Sequence, residues 1–331
     1  MCTAITYKTK DFYFGRNLDH MESYGEEDVI TPRNYPFRFR REGEMDCHYA
    51  MIGTACVREN QALYYDVVNE TGLCMAGLNF VGNAVYRPQQ AHMKNVAQFE
   101  LIPWILGQCA SVDEARDVLR QTNLLDISFD GNTPPAELHW IIADRSRCVV
   151  LEVTSEGADI YENPACVLTN NPPFPAQMLG LNNYMHLSAG DPVNKFAPDL
   201  PLTIYSRGMG AIGLPGDLSS QSRFVRAAFA VKNSVSGESE EESVGQFFHI
   251  LDSVKFIRGC CDLGGDIYDI TLYSSCCNAD KGIYYYTTYE NRSITAVDMY
   301  GEDLSGREIL LCNIIQQMWK ISFFISRNRT N

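Results

Sequence analysis

Apolar and polar positions alternate with a period near two through much of the first 80 residues, which predicts strands. "CTAITYK" and "FYFGRNL" flank a short turn, "TKD", so the chain opens with a hairpin. "YAMIGTACV" (49–57), "ALYYDVVN" (62–69) and "LCMAGLNF" (73–80) follow as further strands. The period then lengthens. "NVAQFELIPWILGQCA" predicts a helix kinked or broken at Pro103, and a second helix opens with a capping box from Ser111 to Glu114. Strand signals return near 138 in "LHWIIAD", "CVVLEVT" and "ADIYEN". Residues 172–221 are rich in Pro, Gly and Asn and predict a long loop, the kind that usually serves function or carries short helices. Helices are predicted at 222–233 and 244–257, separated by a charged surface loop, "SVSGESEEES". "IYDITLYSSCC", "GIYYYTTY" and "SITAVDMY" predict the last strands. Two helix blocks between strand blocks imply a layered α+β fold, sheet on sheet with helices outside, in one domain.

Charge and composition narrow the function. The 331 residues are 45% apolar and 21% charged, with a formal net charge of −14. Nucleic acid is not an expected partner, because phosphate binding needs a basic stripe. The local run "PRNYPFRFRR" (Arg33, Arg38, Arg40, Arg41) is expected to be a solvated loop. No export signal opens the chain, and "ILLCNIIQQMWKISFFI" (309–325) is too short and too polar to span a bilayer. It is expected to be a buried or amphipathic terminal segment. The 12 cysteines then belong to a reducing, cytoplasmic setting, and none has the spacing of a zinc site.

"GMGAIG" (208–213) matches a dinucleotide-binding pattern, but "LPGD" follows at once and no helix can run on from the glycines. His139 and His249 lie in apolar segments and are expected to be satisfied core residues. Cys2 stands apart. Removal of Met1 would leave a thiol and a free α-amine on one residue, titrating near ~8.5 and ~7.7–8.0. The amine can then serve as base to its own thiol. Taken alone, Cys2 reads as a small buried side chain. The hairpin changes that, because a turn near residues 9–10 brings positions 17–18 opposite Cys2 and returns Arg16, Asn17 and Asp19 to the N-terminus. A cation there lowers a thiol pKa. Arg16 and Asp19 differ in parity, so a regular strand aims them at opposite faces. The second strand is therefore expected to lose its alternation near Asn17.

With these residues, "MCTAITYKTKDFYFGRNLD" resembles the start of the choloylglycine hydrolase family, which holds bile salt hydrolases and penicillin V acylases. "ITPRNYP", "NETGLCMAGLNF", "CVLTNNP", "GLPGDLSSQSRF" and "KGIYYYTTYEN" extend the likeness from residue 2 to about 305. The resemblance implies an N-terminal-nucleophile hydrolase. Its fold would be a four-layer αββα sandwich of two antiparallel sheets flanked by helices, spanning 2–331 as one domain. Carried over by position, Cys2 resembles the nucleophile, and Arg16 and Asp19 the charged pair of the hairpin. Asn79 resembles the oxyanion-hole amide, and Asn170 and Arg223 resemble further catalytic residues. Asn rather than Tyr at 79 favours bile salt hydrolysis. The substrate would be a glycine- or taurine-conjugated bile acid, cleaved through a thioester without metal or organic cofactor. The resemblance also implies that "YSRGMG" (Tyr205, Ser206, Arg207, Gly208) meets the amino-acid end of the conjugate across a subunit boundary. The Ser-Arg-Gly form resembles the taurine-associated variant, in a family whose members are commonly homotetramers. His20 stands where relatives often carry a bulky apolar group, beside the steroid pocket, and the tail after about 305 is unlike the usual family ending. The alternative activities are acylases for penicillin V or another N-acyl amide such as an acyl-homoserine lactone, and, more distantly, a non-catalytic binder of amphipathic anions.

Overall fold

The opening hairpin forms as the pattern predicts. Strand Cys2–Lys8 pairs antiparallel with Phe12–His20, and Cys2 lies opposite Leu18, Thr3 opposite Asn17 and Ala4 opposite Arg16. The computed structural model describes residues 1–130 and 134–312. Among these, the hairpin sits inside a six-stranded sheet ordered Val167–Leu168, Cys2–Lys8, Phe12–His20, Ile270–Asn278, Ile283–Thr288, Thr295–Asp298. A second sheet has eight strands, ordered Ala158–Glu162, Cys148–Val153, Leu138–Ala143, Cys74–Asn79, Gln61–Asn69, Met51–Arg58, Glu26–Thr31, Leu310–Cys312. Neighbours in both sheets run antiparallel.

The sheets pack face to face. Ala4 and Phe14 of the first share a core with Ile52, Val68, Ala76 and Ile141 of the second. Helices Ser220–Asn233 and Glu240–Asp252 cover the other face of the first sheet, burying Phe224, Phe247 and Leu251. Helices Leu101–Leu106 and Val112–Leu119 cover the outer face of the second, against Val67, Met75, Trp140 and Ile142. The result is the four-layer αββα sandwich. A strand of the first sheet is covered on both faces, so Phe12–Asp19 is buried throughout. Its polar side chains must find partners inside the protein.

Several local expectations are corrected. Lys94–Ala97 is a strand, paired parallel with Thr122–Leu125, and the helix begins only at Leu101. Pro103 neither kinks nor breaks it, because the first-turn N–H groups of a helix have no intrahelical partner to lose. Ser111 does cap the next helix through Glu114 N–H, but Glu114 accepts from Ala110 N–H instead of closing the box. The acidic run is only half loop. Ser239 and Glu242 form a capping box, and Glu240–Glu242 become a first turn where negative charge suits the helix dipole. That helix ends at Asp252 rather than 257. The long loop does carry a short helix, Phe174–Leu181, as one of its two expected forms. His139 is a satisfied core residue between Glu152 Oε1 and the Thr169 carbonyl, whereas His249 is exposed. The four arginines of the basic run are exposed, as expected, and two of them also find partners. Arg33 pairs with Glu70, and Arg40 lies over the Phe99 and Phe129 rings. Leu310–Cys312 adds an edge strand to the second sheet, and the rest of the 309–325 segment lies outside the described residues.

The expected irregularity near Asn17 is also misplaced. Phe12–His20 keeps regular pairing with Cys2–Lys8, and the break lies in the partner strand. Thr271 is opposite Asp19 and Tyr273 is opposite Leu18, with Leu272 as the extra residue. A bulge inserts one residue and flips the parity of every residue beyond it. Thr271 can therefore serve the helix-covered face while Tyr273 serves the face toward the second sheet.

Candidate active site

Arg16 and Asp19 approach Cys2 from opposite faces of the sheet, and each face supplies its own support. Cys2 is 3% exposed, and Arg16 Nη2 donates to its Sγ at 2.5 Å. Arg16 Nη1 donates to the carbonyls of Gly77 at 2.7 Å and Tyr65 at 3.1 Å. These contacts lie between the sheets. Burial by itself lowers the Arg16 pKa, but Cys2, Tyr273, Asp66 and Asp19 outweigh it and hold the pKa above the ordinary guanidinium value. Arg16 is therefore a permanent cation against the sulfur.

On the helix side, Arg223 projects from the first turn of Ser220–Asn233, a helix capped by Ser219. Its Nη1 donates to the Cys2 carbonyl at 2.5 Å and to Thr3 Oγ1 at 2.6 Å, and its Nη2 to Asn170 Oδ1 at 2.8 Å. That same Asn170 oxygen accepts the Cys2 backbone N–H at 2.8 Å. Asn170 Nδ2 donates to the Asn79 carbonyl at 2.9 Å, tying the first sheet to the second. Thr271 Oγ1 donates to Asp19 Oδ1 at 2.5 Å, while Asp19 Oδ2 is buried with no partner among the described residues. Burial raises the Asp19 pKa, and Arg223, Thr271 and the N-terminal amine pull it back. The Met1 amine donates to the Asp19 carbonyl at 2.7 Å.

A cavity of about 710 Å³ opens over Cys2. Leu18, Phe99, Ile102, Phe129, Leu138 and Trp140 give it apolar walls, and Arg16, Asp19, His20 and Asn79 are also in its lining. The Asn79 side-chain amide has no partner among the described residues and is half-buried at the cavity wall. A ligand with a large apolar body and one polar end matches this distribution. A second cavity, about 740 Å³, contains Lys8, Arg147, Cys166 and Lys232 and none of the predicted site residues.

The structure thus brings Cys2, Arg16, Asp19, Asn79, Asn170 and Arg223 together, with His20 at the rim. Tyr205, Ser206, Arg207 and Gly208 stay apart, exposed and absent from the cavity of their own chain. "GMGAIG" forms a 3-10 turn, Met209–Ala211, with no helix after it. Sequence reasoning missed the carbonyls of Tyr65 and Gly77, the Thr271 hydroxyl and the aromatic walls. Asp66, a charge inside the apolar strand "ALYYDVVN", was the one legible signal that something inside needed a carboxylate.

The family model for linear amide C–N hydrolases, choloylglycine hydrolase family, matches residues 2–312. The chain belongs to this family. It is an amide hydrolase with the N-terminal-nucleophile fold. It is 51% identical over 310 residues to a bile salt hydrolase/transferase of Lactiplantibacillus plantarum, covering 94% of this chain and 96% of the relative. A bile salt hydrolase/transferase of Clostridium perfringens is 35% identical, with 93% and 95% covered. A crystal structure of a variant conjugated bile acid hydrolase from Clostridium perfringens superposes with a TM-score of 0.88 at 33% identity, covering both chains fully. Penicillin V acylase from Agrobacterium tumefaciens reaches 0.75 at 18% identity over 94% of this chain and 91% of its own, a likeness of fold alone.

Proposed function

We propose that this family member hydrolyses the amide of glycine- or taurine-conjugated bile acids, using Cys2 as nucleophile after Met1 is removed. The carrying observation is the Cys2 Sγ, held by Arg16 at the polar end of an apolar-walled cavity. The steroid body would occupy the apolar walls, with His20 at their rim, and the scissile carbonyl would lie over the sulfur. Thiolate attack forms the C–S bond. The carbonyl oxygen, now an oxyanion, accepts from the Asn79 amide. Collapse breaks the C–N bond, and the leaving amine takes the proton held by the Cys2 α-amine. Asn170 and Arg223 fix that amine and the Cys2 carbonyl, and Asp19 balances the ammonium through its open oxygen. Water then attacks the thioester, the α-amine accepts its proton, and the free acid leaves. An amine arriving in place of water would give acyl transfer, the second activity named for the relatives.

The finer features belong to the same reading. The excursion from 179 to 212 exposes Leu179, Met185, Val193, Phe196 and Tyr205, and such apolar exposure suits a subunit interface. In a homotetramer this excursion would bring Arg207 to a neighbouring copy's cavity, where its guanidinium would face a taurine sulfonate. An unchanged taurine-to-glycine ratio of kcat/KM in Arg207→Gly would refute that role.

The main test combines intact mass, active-site labelling and product release from taurocholate, glycocholate and penicillin V in parallel. The expected protein lacks one Met, loses turnover with one iodoacetamide adduct on Cys2, and prefers the bile acids. Active enzyme retaining Met1 would defeat the mechanism, because the base would be an amide. A preference for penicillin V would defeat the substrate assignment.

A further inference from the structure

We propose that Asp66 is a positioning residue for this reaction, an interior carboxylate that holds the Arg16 guanidinium against the Cys2 thiol. Asp66 is 1% exposed and lies between the two sheets. The Tyr273 hydroxyl donates to its Oδ1 at 2.5 Å, and Ser275 and Tyr284 donate to its Oδ2 at 2.8 and 2.6 Å. Three hydroxyl donors converging on two oxygens is the pattern an ionised carboxylate accepts. Its connection to Arg16 runs along two short paths. Ser275 Oγ also accepts the Arg16 backbone N–H at 3.1 Å, and the carbonyl of the adjacent Tyr65 accepts from Arg16 Nη1 at 3.1 Å.

A bulge creates this placement. Strand Gln61–Asn69 pairs Tyr64 with Ala55 and Asp66 with Thr54, leaving Tyr65 as the extra residue. Tyr64 consequently turns outward to Thr31, whereas Asp66 turns toward the first sheet. In a regular strand the two would share a face. Tyr273 reaches Asp66 only because the Leu272 bulge flips its own strand in the same way. Two bulges in different sheets thus converge on one carboxylate.

The arrangement resolves a conflict at Arg16. A buried guanidinium needs a compensating negative charge. Among the described residues no carboxylate bonds Arg16 directly; its donors go to the carbonyls of Asn17, Tyr65 and Gly77 and to Cys2 Sγ. A direct carboxylate would compete with the sulfur for those donors. Asp66 acts from one layer deeper, through hydroxyls, and leaves Nη2 free for the thiol. Asp66 is faced by Arg16, Tyr273, Tyr284, Asp28 and Cys277. Cys2 is faced by Arg16 and Arg223, with Asp19 and the N-terminal amine behind them.

The inference rests on Cys2 being the nucleophile, but its test does not need turnover. The rate of Cys2 alkylation by iodoacetamide is measured against pH in the full chain, with peptide mass identifying the adduct. Asp66→Asn lets the guanidinium move off the sulfur, so the alkylation midpoint rises, by about one pH unit. Its kcat falls about tenfold with KM within about twofold, because a guanidinium no longer held supports the reacting sulfur less well. Tyr273→Phe disturbs the same packing but keeps the carboxylate and its Ser275 link to Arg16, so its midpoint stays close to that of the wild type. A merely structural role would loosen the site in both variants and raise both midpoints alike. A midpoint that falls or stays put in Asp66→Asn, or equal shifts in the two variants, overturns the proposal. If Asp66→Asn does not fold, Ser275→Ala, which cuts the hydroxyl link, decides alone: a rise supports the proposal and anything else overturns it. Wild-type turnover that survives full alkylation of Cys2 would instead defeat the nucleophile reading, leaving the midpoints to judge Asp66.

Discussion

Asp28 gives the sharpest prediction about stability. It is fully buried, its Oδ2 has no partner among the described residues, and Thr54 Oγ1 donates to its Oδ1 at 3.0 Å. Burial, opposed by the Thr54 bond and reinforced by Asp66, pushes its pKa up to about 8. In the unfolded chain an Asp titrates near ~3.9. Between about pH 4 and about pH 8 the folded state therefore holds a proton that the unfolded state has lost. The stability Asp28 contributes is full below that window and is lost as pH rises through it, at up to about 1.4 kcal/mol per pH unit. Asp28→Asn preserves the shape and stays neutral at every pH. Its Nδ2 would be unpartnered, but so is the oxygen it replaces. Urea unfolding of wild type and variant, followed by tryptophan fluorescence at half-unit steps from pH 5 to 7.5, reads the difference. The variant's advantage should widen with pH, by about 3 kcal/mol across that range. A gap that stays constant, or narrows as pH rises, would refute the buried-acid argument.

Other outcomes follow from the site and its frame. Asn79→Ala should lower kcat about 10²–10³-fold with much less effect on KM, as expected for an oxyanion donor, and steady-state kinetics on a conjugated bile acid reads the split. Thr271→Val removes the donor to Asp19 Oδ1 and raises the Asp19 pKa further, so the acid limb of the kcat–pH profile should move to higher pH. An unmoved limb would separate Asp19 from the titration that limits turnover. Gly15→Ala places a Cβ 2.1 Å from the Ser275 carbonyl oxygen, and backbone there cannot step aside. It should cost about 3 kcal/mol in urea unfolding, at the upper end for overpacking. It should also weaken turnover, because Ser275 links Asp66 to Arg16.

The N-terminal hairpin was almost wholly legible. A turn near residue 9 fixes the antiparallel register by counting, and Cys2 does lie opposite Leu18. The alternation of Arg16 and Asp19 followed from strand geometry, and the likeness of the flanking blocks pointed to the family that the match over residues 2–312 shows. Local pattern was weaker where strand and helix share an apolar run, as at Lys94–Leu106, because a short apolar segment suits either period. It failed at the bulges. The conflict between Arg16 and Asp19 was visible, but its solution lies at Leu272, some 250 residues away in sequence, and Asp66 depends on another bulge at Tyr65. A bulge is a mismatch between two paired strands, so neither strand's own sequence of apolar and polar residues records it. The sequence by itself determined which chemical groups the protein carries and how its first two strands align. Only the packing of sheet on sheet decided which face each buried charge would take, because that choice depends on partners that meet only after the chain has folded.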